Sequence, residues 1–288
     1  MRLFNWTKRK SPGEIILYSF VSLLFLAVAL SYIYILVWAF IAGCKTHTEI
    51  VMDPFSLPKV WHFEHYLEVL ESFELNGKGF LDMFLNSVWF SVMGSLLLQF
   101  TSVNLAYACA KYKFRGSAFI YTLTLIIITL PIYGNSGALY KLYANLGLID
   151  SYAFVVTSAS GFNLMFLYYM SFFKNLSWTY AEAAMMDGAG HFQIYFRVML
   201  PQAKTIFGAL FLTQWIGNWN SYEAHLVYLP NLPSLPVGIY QFNMEMMYRA
   251  RLDILFAACV ITVIPALILF IAFNKTITSN VSVGGIKG

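Results

Sequence analysis

Long stretches without a charged side chain are the feature of this sequence that most limits its fold. Each of six such runs has about the 20 residues that a helix needs to cross roughly 30 Å of hydrocarbon. The runs are apolar along their length and do not alternate as the strands of a membrane barrel do, so a barrel is excluded. The sequence therefore predicts an all-α, polytopic membrane protein with six transmembrane helices. The runs are 15–44, 83–110, 116–140, 151–173, 205–222 and 254–274.

The overall composition supports a membrane location. Of the 288 residues, 59% are hydrophobic and only 11% are charged, which is about half the charged fraction of a soluble protein. The first run is too long for the core of a signal peptide, and no small-x-small pattern follows it, so it is predicted to stay as a helix. The three cysteines have no disulfide or metal spacing. The net charge of +4 serves topology and indicates no nucleic-acid partner.

The distribution of Lys and Arg predicts the orientation of the chain. Basic residues cluster in the first ten positions, which places the amino terminus in the cytoplasm. With six crossings, the connections after the second and fourth spans and the carboxyl terminus lie on the same side, and they are also basic. Most Asp and Glu residues fall on the opposite face. Both termini are therefore predicted to be cytoplasmic.

The chain is predicted to form a single membrane domain over residues 1–288. Its core spans lie within 83–275, a cytoplasmic segment covers 174–205, and the largest external loop covers 45–82. After the fifth span, three prolines within seven residues prevent a helix between 230 and 236. The fifth helix is therefore predicted to end near Tyr228, with an external loop that returns to Ile254.

Residues 182–201, which read EAAMMDGAGHFQIYFRVMLP, form a polar insert between two apolar runs. Small residues before Gly188 give a helix surface that another protein can approach closely, and Gly188 permits a sharp bend. Pro201 suits the first turn of the following span. The pattern predicts a helix–turn–helix on the cytoplasmic surface, either docked in a cleft of a partner or resting on lipid. Spacing of i, i+3, i+4 and i+7 predicts one apolar face of the second helix from Phe192, Tyr195, Phe196 and Met199.

The spacing within this insert resembles the EAA loop of bacterial ABC importer permeases, which reads EAA, three residues, Gly, nine residues and Ile-x-Leu-Pro. The matching residues are Glu182, Ala183, Ala184, Gly188, Leu200 and Pro201, with Val198 at the isoleucine position. The chain is similar to the maltose-type, carbohydrate-uptake branch at 45–46, 54–58, 86–87, 113–116, 146–148, 219–220, 235–238 and 284–288. The terminal GGIKG favours the second of two permease subunits. The chain departs from the family at Ser177 and Thr205, where prolines are frequent, and at 221–223.

This resemblance implies a type I ABC importer permease-like fold in a bacterial cell membrane, and a chain that is not itself an enzyme. It implies a second permease subunit in a heterodimer, two ATPase subunits that bind ATP and Mg, and an extracellular or periplasmic sugar-binding protein. Membrane lipid is a further expected partner, and no cofactor is expected on this chain. The coupling residues it implies are Glu182, Ala183, Ala184, Asp187, Gly188, Ala189, Leu200, Pro201 and, in the tail, Lys287.

Two acidic residues of the insert have more than one interpretation. Glu182 pairs with a cation on the ATPase, which the resemblance favours, or completes a capping box with Thr179 at the start of its own helix. One carboxylate can serve both roles. Asp187 is predicted to support the turn before Gly188 by Asx-type bonding more than to contact a partner.

Amides and aromatic rings cluster within the fifth run, where polar groups are costly unless they face a bundle interior or a water cavity. Carboxamides bond to hydroxyl groups and aromatic faces stack on a pyranose, so the cluster suits a sugar. The alternative is hydrogen bonding between helices without substrate contact. If Asn218 faces the pathway, Tyr222 shares its side at i+4. The predicted pathway residues are Asn218, Trp219, Asn220, Tyr222, Tyr133 and Asn135, and the same alternatives apply to Asn163.

Several function classes are excluded or left as rivals. The chain has no G-x-x-x-x-G-K-[ST] phosphate loop, so it cannot hydrolyse ATP by itself. His62-x-x-His65 has no third ligand nearby, and no metal site is predicted. No span carries the charged residue that proton- and sodium-driven carriers keep, which indicates an outside energy source. The rivals are the same importer for another solute, such as a polyamine or a modified glycan, and a carrier driven by an ion gradient.

Overall fold

The computed structural model describes residues 11–112, 114–130 and 136–281. Helices form nearly all of its regular structure, and within those ranges the sole strand-like pairing is one isolated bridge between Leu75 and Lys78. The predicted all-α fold is confirmed. The α-helices are α1 (Pro12–Gly43), α2 (His47–Met52), α3 (Glu64–Ser72), α4 (Phe80–Lys111), α5 (Ser117–Thr129), α6 (Ser136–Asn145), α7 (Leu164–Asn175), α8 (Thr179–Met186), α9 (His191–Gln193), α10 (Leu200–Gln202), α11 (Lys204–Trp219), α12 (Glu223–Tyr228), α13 (Leu235–Tyr248) and α14 (Leu252–Val281).

Three of the helices are long and apolar enough to cross a membrane: α1, α4 and the Leu252–Ala272 part of α14. The first of them begins with a complete capping box, in which Ser11 and Glu14 each bond to the other's backbone N–H. Pro12 occupies the first turn, where its missing N–H costs no hydrogen bond. Local sequence signals therefore fix where this helix starts.

The other three apolar runs form shorter pieces. The run at 116–140 contains α5, and the run at 151–173 contains a 3₁₀ helix (Tyr152–Ser158) followed by α7. α7 starts directly after Asn163, which caps it. The Oδ1 atom of Asn163 accepts from the N–H groups of Met165 and Phe166. The run at 205–222 contains α11, which ends at Trp219. Uncharged composition thus predicted the membrane segments but not the breaks within them.

The region after α11 differs from the prediction. The sequence predicts a fifth helix that ends near Tyr228. α11 instead ends at Trp219, and a separate α12 covers 223–228. The predicted external loop up to Ile254 instead contains α13. Pro230 and Pro233 do keep 229–234 free of helix. Pro236 is the second residue of α13, a position that tolerates proline because its N–H would have no helical partner.

The described residues divide into two compact units, and whether these form the predicted single domain stays a prediction. In the unit that holds 74–240, α4 packs between α7 and α11. Buried serines line α4, and Ser91, Ser95 and Ser102 each donate to a carbonyl four residues earlier. Small residues whose hydroxyls are satisfied within their own helix let neighbouring helices approach closely. The same core continues into the segment around 181–203.

The other unit contains 11–73 and 241–264, and it holds a charged network of Glu68, Arg251, Asp253 and His65. Arg251 donates to both carboxylate oxygens of Glu68 at 3.0 and 2.9 Å, and its Nε lies 3.0 Å from Asp253. His65 Nε2 is 3.4 Å from the Asp253 carboxylate, and Asp253 as a whole is 3% exposed. The hydrogen bond with Glu68 raises the pKa of Arg251. The bidentate guanidinium therefore neutralises two carboxylates, one of them buried.

Replacement of Arg251 by methionine is expected to destabilise this unit by about 1–3 kcal/mol, because it leaves the buried Asp253 carboxylate without its cation. Arg249 is the matched control, since it forms an exposed i,i+4 pair with Glu245 that contributes about 0.3–0.5 kcal/mol. Thermal unfolding in detergent should show a lower midpoint for Arg251→Met than for Arg249→Met. Equal midpoints would show that the network adds no stability.

Candidate functional site

The first helix of the predicted helix–turn–helix is α8. It begins after Trp178, whose carbonyl accepts from the N–H groups of Ala181 and Glu182. The predicted capping box with Thr179 is wrong, because Thr179 is already inside the helix and its hydroxyl lies against Ser177 Oγ at 2.9 Å. Glu182 is exposed and makes no salt bridge with any residue that the structure describes. No residue in the described ranges therefore competes with a partner for its carboxylate.

The end of α8 is a glycine-dependent turn. Gly188 has a φ of +79°, and its N–H donates to Met185 O at 3.0 Å while the next N–H, from Ala189, donates to Ala184 O at 2.9 Å. This pair of bonds is the Schellman ending, which requires a left-handed residue at the position of Gly188. The predicted sharp bend is present. The Asx-type role of Asp187 is wrong, because backbone bonds make the turn and the exposed Asp187 side chain forms no hydrogen bond within the described ranges.

The second half of the segment begins at α9 and continues through a π-helical stretch, Ile194–Met199, into α10. Pro201 lies in α10 and has no N–H, which removes one helical bond to the preceding turn. A π-helical turn is a common way to accommodate such a break. Pro201 therefore lies in a short helix of its own, directly before α11, which starts at Lys204.

The buried face of this half does not follow the predicted spacing. Ile194, Tyr195 and Met199 are buried, whereas Phe192 and Phe196 are 82% and 52% exposed. The buried face is displaced from the predicted one, because Ile194 is buried beside Tyr195 and Met199 while Phe192 and Phe196 are not. The apolar face toward the core is thus formed by Ile194, Tyr195 and Met199.

The segment presents an exposed apolar surface beside its acidic residue. Met186 is 88% exposed and Phe192 is 82% exposed, and Ala183 is also exposed. On the opposite side, Ala181 is fully buried and belongs to the same core cluster as α4 and α7. One side of the two-helix segment is therefore fixed to the helices, while the other is free for contact. Of the remaining predicted coupling residues, Leu200 and Ala189 are half-buried.

Asn218 is a residue of α11, and its side-chain amide contacts α4. Its Nδ2 donates to Ser95 Oγ at 3.2 Å, and its Oδ1 accepts from Gln214 at 3.0 Å. Gly94 makes this approach possible, because a Cβ at that position would lie 3.0 Å from Asn218 Nδ2. The amide is half-buried, so one side contacts α4 and the other stays accessible.

The neighbours of Asn218 point in different directions. Trp219 is 4% exposed and stacks on Trp215 with a centroid distance of 5.0 Å, as expected for a packing residue. Asn220 is the C-cap residue of α11, and its Nδ2 donates to Ile216 O at 2.8 Å. Tyr222 lies outside α11 and stacks on Tyr240 at 5.5 Å. The expected i+4 relation of Tyr222 to Asn218 is therefore wrong, because the helix ends between them.

Some predicted residues are placed elsewhere or not described. Tyr133, Asn135 and Lys287 lie outside the described residues. Asn163 caps α7 and donates to Ser102 at 2.8 Å, which is a contact between helices.

A second polar group lies at the other end of α4. Asn86 accepts from Tyr152 at 3.1 Å and donates to Pro233 O at 3.0 Å, and Ser87 accepts from the N–H of Leu235 at 2.8 Å. These bonds satisfy backbone groups that the prolines of 229–236 leave without helical partners. Pairing between residues some 147 positions apart leaves no local signal in a single sequence.

The fold defines an α-helical membrane component, and comparison with known proteins agrees. Residues 102–283 match the family of binding-protein-dependent transport system inner membrane components, and the chain belongs to that family. It is 29% identical over 286 residues to the arabinooligosaccharides transport system permease protein AraQ of Bacillus subtilis, covering 97% of this chain and 99% of that one. It is 31% identical over 255 residues to the diacetylchitobiose uptake system permease protein NgcG of Streptomyces coelicolor, covering 86% and 82%.

A solved structure shares the fold. It is a crystal structure of a bacterial ABC transporter involved in the import of the acidic polysaccharide alginate. The likeness has a TM-score of 0.76 at 22% identity and covers 93% of this chain and 99% of that chain. At this identity the likeness establishes the fold alone.

Proposed function

We propose that this permease imports a sugar or oligosaccharide as one half of a heterodimeric pathway. Support comes from the related permeases, since AraQ is named for arabinooligosaccharides and NgcG for diacetylchitobiose. The amides and aromatic rings around Asn218 suit a polyhydroxylated solute. An extracellular or periplasmic binding protein delivers the solute, and both termini of the chain lie in the cytoplasm of a bacterial cell. ATP and Mg bind to two partner ATPase subunits and not to this chain.

The observation that carries the coupling role is the two-sided structure of residues 179–202. Its inner side is continuous with the core of α4 and α7, and Glu182, Met186 and Phe192 are exposed. A cationic and apolar cleft on an ATPase complements that outer side. Closure of the ATPases on ATP then moves the docked helices, and the buried side of the segment passes this movement to the spans as alternating access.

Cross-linking tests whether the exposed side meets an ATPase or lipid. In a chain whose three cysteines are replaced, a cysteine at Met186 should form a cross-link with the co-expressed ATPase, while a cysteine at the fully buried Ala181 should not. If the outer side instead rests on lipid, an environment-sensitive probe at position 186 will report an apolar environment that the ATPase does not change. That outcome would contradict the docking role.

Replacement of Asn218 by alanine should lower uptake by more than Ser95→Ala does. Both variants lose the same 3.2 Å bond between α11 and α4, but Asn218→Ala also loses the 3.0 Å bond from Gln214. Gln214→Ala is therefore a second control, and a loss in Asn218→Ala beyond those of both controls reports contact with the solute. Ser95 keeps its hydroxyl turned to Ser91 O, and its removal costs only about 0.5–1.5 kcal/mol. Uptake rates at equal expression provide the measurement. Equal losses would assign Asn218 to helix packing.

A further inference from the structure

Lys111 is the last residue of α4, and its ammonium group contacts the connection that leads into α8. Nζ donates to the carbonyl of Leu176 at 2.6 Å and lies 5.9 Å from the ring centroid of Trp178. Leu176 is the C-cap residue of α7, and Trp178 is the N-cap residue of α8. One side chain of α4 therefore holds both ends of the connection between α7 and α8.

This contact does more than place a positive charge in the cytoplasm. The Leu176 carbonyl lies at the end of α7, where backbone acceptors have no helical partner and where a cation is favourable. Lys111 is half-buried and forms no ion pair with a carboxylate in the described part of the chain. Membrane topology requires only that the Lys111 charge be on the cytoplasmic side. The bond to the Leu176 carbonyl in addition fixes the position of the Lys111 side chain.

The neighbouring residue contacts the other half of the two-helix segment. Tyr112 follows α4, and its hydroxyl lies 3.4 Å from Nδ1 of His191, the first residue of α9. One turn earlier, the Tyr107 ring packs on Tyr195 of the π-helical stretch with a centroid distance of 4.5 Å. The end of α4 thus contacts the segment on both sides of Gly188.

The same helix reaches the predicted pathway residues. Ser95, four turns or so before Lys111 in α4, accepts from Asn218. α4 is a continuous helix from Phe80 to Lys111, so a displacement at its end moves Ser95 as well. The route from the segment to Asn218 through α4 is separate from the direct chain connection through Pro201 and α11.

We propose that Lys111 is a positioning residue for energy coupling: it ties the two-helix segment to α4, so that ATPase movement reaches the pathway through α4 as well as through α11. This role rests on the proposed function. Lys111 touches neither the solute nor the ATPase in this scheme. Its loss therefore changes how much solute moves for each ATP hydrolysed, and leaves docking intact.

The test measures ATP hydrolysis and uptake together in vesicles that hold the full transporter. Lys111→Met should assemble with the ATPase like the wild type and hydrolyse ATP, while the solute moved per ATP falls about fivefold, the lower end of usual coupling between sites. Lys111→Arg still reaches the carbonyl and should restore most of the ratio. Arg115→Met is the matched control for charge, because Arg115 is exposed and forms no salt bridge or side-chain hydrogen bond in the described ranges.

A wild-type ratio in Lys111→Met, or an equal fall in Arg115→Met, would overturn the inference. If Lys111→Met fails to assemble, Lys111→Gln is measured in its place, since its shorter polar side chain also loses the carbonyl. The ratio in that variant decides in the same way.

Gly188→Val in the same assay separates the two proposals: if its uptake and ATPase association are normal, the coupling role of the segment fails. If it is defective and the Lys111 variants are normal, only the positioning role fails.

Discussion

Gly188→Val is expected to lower uptake by about tenfold or more while the chain still inserts and ATP hydrolysis continues without transport. The cause is the backbone, because Gly188 has a φ of +79° and a β-branched residue in the left-handed region is strained. No atom lies within 4 Å of a Cβ built there, so crowding is not the cause. The strain opens the Schellman turn and changes the angle between α8 and the second half of the segment.

The control for this prediction is Gly190→Val. Gly190 also has open space around its Cβ, but its φ of −75° and ψ of 164° suit valine. Uptake and the ATPase activity of purified complexes should separate the two variants. If both reduce uptake equally, the left-handed turn is not what matters, and if neither does, the segment does not couple ATP use to transport.

Glu182→Lys is expected to reduce association with the ATPase by at least about tenfold. Glu182 is exposed and has no ion-pair partner among the residues that the structure describes, so an effect on folding should stay within about 0.5 kcal/mol beyond the helix-dipole term. A lysine converts attraction to a cation on the ATPase into repulsion. Glu182→Gln, which removes only the attraction, should give a smaller loss.

Glu223→Lys is the matched control, because Glu223 is also an exposed acid in the first turn of a short helix. Co-purification of the ATPase provides the measurement, and an acidic replacement of the facing cation on the ATPase should restore binding to Glu182→Lys. Equal association of the Glu182 and Glu223 variants would remove the ion pair from the mechanism.

The sequence predicted those parts of the fold whose signals are local. Ser11, Pro12 and Glu14 mark the start of α1, and Pro230 and Pro233 mark the non-helical stretch 229–234. Gly188 marked the turn because the Schellman ending needs a left-handed residue at one fixed position. Each of these is a property of a few neighbouring residues, and each agrees with the structure.

The remaining features depend on contacts between distant residues. Ile194 is buried in the core shared with α4 and α7, where the apolar pattern predicted Phe192 and Phe196. The end of α11 at Trp219 moves Tyr222 away from the side of Asn218, although the apolar run continues to position 222. The Lys111–Leu176 bond joins residues 65 positions apart, so a single sequence shows only a lysine at the end of a span.

We propose that this permease moves its solute with energy from partner ATPases that act through residues 179–202. Uptake of a labelled oligosaccharide into vesicles that contain the purified complex tests it most directly, with ATP inside, binding protein outside, and no ion gradient. We expect uptake that requires both ATP and binding protein and that Gly188→Val lowers by about tenfold or more. Uptake that continues without ATP and follows an imposed proton or sodium gradient would contradict it.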